Sequence, residues 1–327
     1  MGIDVIVCGS LNMDLLARVA ALPKPGETVP GLELNRLPGG KGLNQAVAAA
    51  RMGARTAMLG ACADDADGQA LCALLAAEGL DTRSVAVRET LRRPDVHTGL
   101  AMVWVAGDGE NSIVVYGGAN ATLTPDEARA ALHAMTSSAK VAMAQLETPL
   151  ETVAAFLELA RAQGARTLLN TAPALAGSLP LLALADIVVL NETELAFYAH
   201  VTNDLSTADA PAVDTCTHLA RQLVSRLTAS CGTAPTIVVT LGAQGALTVC
   251  GQEVAHYPAP HVTPLDTTGA GDCFCGVLAA ALAAELPLPA AVRRANRAAA
   301  LAVGRLGAAP AMPRAHELTD DDADNDA

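Results

Sequence analysis

The segment with the clearest chemical capacity is Thr263-Pro-Leu-Asp-Thr-Thr-Gly-Ala-Gly-Asp-Cys-Phe-Cys-Gly276, in which Gly269-Ala-Gly271 leads straight into an apolar run predicted to be helical from about Cys273 to Ala284. Glycine lets consecutive backbone amides converge, and a helix N-terminus adds its positive end, so the turn suits a phosphoryl group. Asp272 in the same turn could take a proton from a hydroxyl nucleophile held beside that anion hole. It could equally cap the helix, and taken alone the turn does not choose. A dinucleotide site is a poor match, because the third glycine and the acid some twenty residues on are missing. A Walker loop is absent, since no Gly-Lys-Ser/Thr follows four spacers.

Two further segments carry polar groups at predicted turns. Leu37-Pro-Gly-Gly-Lys-Gly-Leu-Asn-Gln-Ala46 places Gly40, Lys41 and Asn44 at the start of an Ala-rich helix, as fixed donors for a polyol. Gly9-Ser-Leu-Asn-Met-Asp14 follows the first predicted strand, with Asn12 and Asp14 alternating onto one face and Asp14 able to accept two hydroxyls. Glu147 stands between another strand and a Thr-Pro helix start, where it could bind a sugar or serve the helix dipole alone. The seven histidines show neither ligand spacing nor a nucleophile partner and read as structural or surface residues.

The elements that must position these groups alternate. Short apolar strands (Val5 to Cys8, Arg55 to Gly60, Val141 to Leu146, Thr167 to Leu169, Ile187 to Leu190, Thr236 to Thr240) are separated by helical patterns, which predicts an α/β fold with a doubly wound, mostly parallel sheet covered on both faces. Capping boxes are expected at Thr124-Pro-Asp-Glu127 and Thr148-Pro-Leu-Glu151. Thr98 to Val105 and Ser112 to Tyr116 flank the turn Gly107-Asp-Gly-Glu-Asn111 and predict a hairpin. With the stretch Pro23 to Pro30 it forms a small β lid, its segments at about 13–38 and 96–117 inserted in one domain spanning 1–315. The polar stretch from His200 to Thr236 reads as peripheral, with an amphipathic helix around Thr217 to Leu227.

Composition limits the partners. The net charge is −13, and residues 316–327 hold six acids without a Lys or Arg, so the tail reads as solvated and disordered and the body is near −7. An acidic surface and only 2% aromatic residues argue against nucleic acid and anionic membranes. No stretch is long enough to span a bilayer and the N-terminus has no signal-peptide pattern, so a cytoplasmic location is expected. The eight cysteines contain no Cys-x-x-Cys pair and read as reduced, mostly buried thiols.

Seven motifs occur in a familiar order: Gly-Ser-x-Asn-x-Asp, Pro-Gly-Glu-Thr at Pro25 to Thr28, Gly-Gly-Lys-Gly-x-Asn-Gln-Ala, Gln145-Leu-Glu-x-Pro149, Asn191-Glu-x-Glu194, Thr240-Leu-Gly-x-x-Gly245 and Asp-Thr-x-x-Ala-Gly-Asp ending at Asp272. From about Val5 to Pro313 the chain resembles the ribokinase-like carbohydrate kinases of the PfkB type, the first four motifs pointing to the ribokinase branch. That resemblance implies transfer of the γ-phosphoryl group of ATP to O5 of D-ribose, with Asp272 as base and Gly269, Ala270 and Gly271 as anion hole. It implies sugar contacts at Asn12, Asp14, Gly40, Lys41, Asn44 and Glu147, and nucleotide contacts at Asn191, Thr240, Gly242, Gly245, Gly271 and Asn296. Glu194 would organise hydrated Mg2+. A K+ activator would lie near Asp266, Thr268, Ala302, Arg305, Gly307 and Ala311, the last of which lacks the side-chain oxygen often found there. A homodimer through the lid is expected. Asn170-Thr-Ala-Pro173 departs from the family, which often has Pro directly after Asn. The alternatives are a kinase acting on 2-deoxyribose, another sugar or a nucleoside, and a catalytically silent regulator that binds a sugar or nucleotide.

Overall fold

The computed structural model describes residues 2–107, 110–135, 139–200, 213–232 and 234–318. The middle of the expected hairpin turn, Asp204 and Asp209 in the polar stretch, and most of the acidic tail lie outside them.

Nine strands form the main sheet: β1 (Val5–Cys8), β4 (Thr56–Ala63), β5 (Asp81–Arg88), β8 (Val141–Ala144), β9 (Arg166–Asn170), β10 (Ile187–Asn191), β11 (Thr236–Thr240), β12 (Ala246–Cys250) and β13 (Glu253–Tyr257), in the spatial order β13-β12-β11-β10-β9-β8-β1-β4-β5. The seven strands from β5 to β11 pair in parallel and β12 and β13 pair antiparallel at one edge. Two antiparallel strands and β5 escaped the sequence reading because their patterns are short or only half-buried.

Helices cover both faces, since alternate residues of each strand point to opposite sides. Val5 and Val7 pack with α1 (Lys41–Arg51), α2 (Ala66–Ala77), α8 (Ala270–Ala283) and α9 (Leu288–Ala302). Ile6 and Cys8 pack with α3 (Pro125–His133), α4 (Leu150–Ala162), α5 (Leu179–Leu182), α6 (Glu192–Ala199) and α7 (Val213–Cys231). The chain leaves β1 toward β4 and β5, then returns to place β8 on the other side of β1. Open α/β sheets bind ligands at such a reversal, outside the carboxyl ends of the strands. Gly9 to Asp14 and Gln145 to Glu147 emerge there.

A second sheet, in the order β3-β2-β6-β7, combines β2 (Asn12–Val19), β3 (Gly31–Gly39), β6 (Gly99–Val105) and β7 (Asn111–Tyr116). The expected hairpin is β6 paired antiparallel with β7, and β2 joins it in parallel. The capping box at Thr124 forms as expected. The one at Thr148 does not: Pro149 is extended at φ −54, ψ 133 and becomes the N-cap of α4, while the Thr148 hydroxyl is buried without a hydrogen-bond partner. Having no N–H, Pro149 suits the boundary, but the helix begins one residue later than the motif implied.

Helices α1 and α8 approach closely because glycines remove the intervening side chains. A methyl group added at Gly276 would overlap the Gln45 carbonyl oxygen and come within 2.6 Å of Ala48 Cβ; one at Gly42 would come within 2.6 Å of the Ser10 nitrogen. Gly276→Ala should therefore force the helices apart and lower stability by about 1–3 kcal/mol, read as a lower midpoint in urea or thermal unfolding; an unchanged midpoint would show that the contact is not tight.

Candidate active site

Helix α1 starts at Gly40, whose φ of 89° is poorly accessible to other residues and whose Cα faces Asn12 N and Ser10 O. Leu43 N–H donates to Ser10 O at 3.0 Å, fastening the helix start to the end of β1. Glu147 closes the same corner: it accepts from the Ser10 hydroxyl and, at 3.2 Å, from the Lys41 backbone N–H. The dipole that Glu147 serves is thus that of α1, not that of the helix following it in sequence.

Helix α8 starts opposite, with Gly269 left-handed at φ 75° and packed against Ala308. Ala270 N–H turns back to Thr267 O at 3.2 Å, and Cys273 N–H closes the first helical bond to Gly269 O at 2.8 Å. The amides of Gly271 and Asp272 belong to the part of a first turn that has no intrahelical acceptor. Asp272 is 8% exposed and does not cap α8. Its Oδ2 accepts from Asn44 Nδ2 and its Oδ1 from Gln45 Nε2, each at 2.9 Å. Two charge-assisted bonds from α1 thus hold a carboxylate of α8, while its remaining lone pairs stay available to a proton.

A cleft of about 210 Å³ opens beside Asp272. It is lined by the expected residues Lys41, Asn191, Glu194, Thr240, Gly269, Ala270, Gly271 and Asp272, together with Asn170, Ala172, Val189, Thr267 and Cys275. Asn191 and Glu194 also form a capping box on α6, each side chain accepting from the other's backbone N–H at 2.8 and 2.9 Å. Gly242 and Gly245 shape the turn after β11, where Leu241 N–H donates to Gly245 O, and a Cβ at Gly245 would overlap the Tyr257 carbonyl. Asn296 is buried on α9 and donates to Tyr257 O at 2.9 Å, outside the cleft lining.

On the lid side, Asn12 Oδ1 accepts from Asn120 Nδ2 at 2.7 Å, and Asp14 rests against Gly39, where any side chain would collide with its carboxylate. Burial first, then the charges of Glu147 and Asp272, push Asp14 up to about 7 against the pull of Lys41. Glu194 is likewise pushed up to about 7, mainly by burial. Burial also opposes the charge of Lys41, but Asp272, Glu147 and Glu194 outweigh it and hold the ammonium above the ordinary lysine value. Four dispersed acids around one partly buried cation are a site built for oxygen-rich, charged ligands.

Behind the cleft, Asp266 gathers two loops: Oδ1 accepts from Thr268 N–H at 2.9 Å and Oδ2 from Gly307 N–H at 2.8 Å. Leu265 and Asp266 amides both reach Val303 O. The Ala302 carbonyl accepts from Arg305 N–H at 3.0 Å, the Arg305 side chain pairs with Glu317, and Ala311 is buried. Five of the six residues expected beside the loop are thus near neighbours through Asp266 and Ala302, and Ala311 adds no side-chain oxygen.

The family model for pfkB family carbohydrate kinases matches residues 3–315. The chain belongs to the PfkB family of carbohydrate kinases. As such it is an ATP-dependent sugar kinase. It is 36% identical over 320 residues to a ribokinase of Bacillus subtilis (strain 168), covering 96% of this chain and 98% of that one. To a deoxyribokinase of Salmonella typhi it is 32% identical over 321 residues, covering 97% and 98%. The structure of Arabidopsis thaliana ribokinase complexed with ribose and ATP superimposes with a TM-score of 0.81 at 26% identity, covering 97% and 98%. No helix among the described residues is long and apolar enough to cross a membrane.

Gln45 is the site residue that sequence reading passed over. It is fully buried, and its amide also donates to Asn170 Oδ1 at 3.0 Å while its oxygen accepts from Gln145 Nε2 at 2.6 Å. The available signal was a glutamine inside the alanine-rich buried face of α1. Gln45→Ala should lower kcat by roughly 10- to 100-fold, the worth of one hydrogen bond to a charged group, with the sugar KM changed little; a fall in stability with kcat intact would make the role purely structural. Because the folded-state value of Asp14 lies above its ordinary 3.8, its contribution to stability is complete below that value and is lost as pH rises through about 7. Asp14→Asn should therefore raise Tm relative to the parent at pH 8 and leave it nearly unchanged at pH 4, compared by thermal melts at both values.

Proposed function

We propose that this sugar kinase is a ribokinase that transfers the γ-phosphoryl group of ATP to O5 of D-ribose. The observation that carries the reading is the Asp272 carboxylate, fixed by Asn44 and Gln45 at the first turn of α8 and facing a cleft that Lys41, Asn191 and Glu194 also line. The ribose O5 hydroxyl gives its proton to Asp272 as its oxygen bonds to the γ-phosphorus, and the bond from that phosphorus to the bridging oxygen of ADP breaks. Gly271 and Asp272 amides, with the positive end of α8, stabilise charge on the transferring group. Lys41 adds a cation at the same cleft. Asn12, Asp14, Gly40, Asn44 and Glu147 form the sugar side, where the Asn44 Oδ1, buried and without a partner, is an acceptor suited to a hydroxyl. Asn191, Thr240, Gly242, Gly245 and Asn296 form the nucleotide side.

Glu194, a buried carboxyl lining the cleft, fits the water shell of Mg2+, which would neutralise phosphate charge there and relieve the burial penalty. The loops joined by Asp266 fit a monovalent cation held mostly by backbone oxygens, and with Ala311 the site has one oxygen fewer, so weak activation by K+ is part of the reading. The lid presents Leu32, Leu34, Ile113, Val115 and Tyr116 to solvent, apolar surface that supports pairing of two lids in a homodimer.

In an ATP-consumption assay over ribose, 2-deoxyribose, other sugars and nucleosides, ribose should give the highest kcat/KM. Asp272→Asn should lower turnover with ribose by roughly two to four decades while ribose still binds. A preference for 2-deoxyribose or a nucleoside would overturn the substrate. Ribose and ATP binding without any sugar phosphate formed would overturn the kinase reading in favour of a silent binder.

A further inference from the structure

Two cysteines outside the lining of the cleft face each other under the root of the lid. Cys62, on β4, is fully buried in the core shared with Met58, Leu71 and Leu75. Cys72, on the second turn of α2, is partly exposed, and the two Sγ atoms lie 3.6 Å apart. The pair is asymmetric, with one sulfur open to a reagent and the other held behind it. Either sulfur can donate across this contact; with the buried Cys62 as donor, the contact stabilises the Cys72 thiolate and draws Cys72 below the ordinary thiol value, while the same contact and burial hold Cys62 above it. A reactive, accessible thiol beside a buried resolving thiol is the arrangement that two-electron oxidants convert to a disulfide.

The surrounding structure gives the pair a mechanical setting. One residue beyond Cys62, the Ala63 N–H donates to Thr98 Oγ1 at 3.0 Å. The Thr98 hydroxyl and N–H in turn donate to the two carboxylate oxygens of Asp65, the N-cap of α2, at 2.6 and 2.8 Å. Gly68 fits beneath this clamp because a Cβ there would overlap the Ala63 carbonyl. Thr98 is the residue before β6, so α2, β4 and the lid strand meet one residue beyond Cys62 and about two helical turns before Cys72.

We propose that Cys62 and Cys72 form a reversible intramolecular disulfide site whose co-substrates are small two-electron oxidants such as hydrogen peroxide. The Cys72 thiolate attacks one peroxide oxygen, the O–O bond breaks and hydroxide leaves, giving Cys72 sulfenic acid. The Cys62 sulfur then attacks the Cys72 sulfur, the S–O bond breaks, and the departing hydroxide takes up the Cys62 proton as water. Two thiols and one hydrogen peroxide thus give one disulfide and two waters. Closing from 3.6 Å to the bonded separation requires about 1.5 Å of approach, within reach of side-chain rotation and a small shift of α2. The bridge ties α2 to β4 directly beside the Asp65–Thr98 clamp.

The test is peptide mapping by mass spectrometry of the intact folded protein after brief treatment with hydrogen peroxide, with free thiols alkylated before digestion. The expected product is a single linked peptide pair containing Cys62 and Cys72, about 2 Da lighter than the sum of the reduced peptides, and its return to two thiols with dithiothreitol. In Cys62→Ser, or in Cys62→Ala if the serine is not tolerated in the core, the oxidised Cys72 should instead be trapped by dimedone as sulfenic acid. Oxidation confined to the exposed Cys231 and Cys250, or a Cys72 that oxidises without ever linking to Cys62, would overturn the proposal. None of these readouts depends on the sugar or on kinase turnover, so the substrate reading and this one stand or fall separately.

Discussion

Everything at the active site depends on how closely the starts of α1 and α8 come together. Asp272 leaves the first turn of α8 and is held by Asn44 and Gln45 of α1. That is possible only because Gly276 lets the helices touch and Gly42 lets α1 rest on the end of β1. Fixing a carboxylate from two sides keeps its position without using all its lone pairs, the arrangement a proton acceptor requires. The same approach directs two helix N-termini toward one cleft, so the positive ends that favour an anion come with the scaffold rather than from a run of basic side chains.

That geometry explains the electrostatics. Asp14, Glu147, Glu194 and Asp272 come from four separate segments and meet around Lys41, so burial and mutual repulsion raise Asp14, while attraction to the carboxylates outweighs burial and strengthens the hold on the lysine proton. On the proposed reading, an acidic protein with a phosphate-transfer site resolves the contradiction locally: amides, helix ends and one ammonium would face the phosphate, while the carboxylates would face a neutral sugar or a cation.

The lid extends the site without enlarging the core. Its sheet joins the body through Asn12 and Asp14 on one strand and through Thr98 and Gly99 on another, and Asn120 fastens the first of these roots by binding Asn12 and the Leu11 backbone. The outer strand β7 is exposed along its whole length. A small sheet anchored at its roots and solvated at its edge is placed to move as a unit, whereas the nine-stranded sheet beneath is packed on both faces.

Much of this was legible from residues alone. Strand and helix alternation gave the α/β class because periodicity and capping are local properties: the Thr124 box and the Ala-rich α1 stand where they were expected. The glycine turns were legible too, since few other residues adopt the φ found at Gly40 and Gly269. Tertiary structure decided what lies between distant segments. It gave Glu147 to α1 rather than to α4, began α4 at Leu150, one residue later than the Thr148 motif implied, and made Asn191 and Glu194 a helix cap as well as part of the cleft. It also joined Gln45 to Asn170, Gln145 and Asp272, and brought Cys62 against Cys72. The division follows from the range of the forces: backbone conformation is set by near neighbours, whereas the partner of a buried polar atom is chosen by whichever segment the packing of the whole core delivers to it.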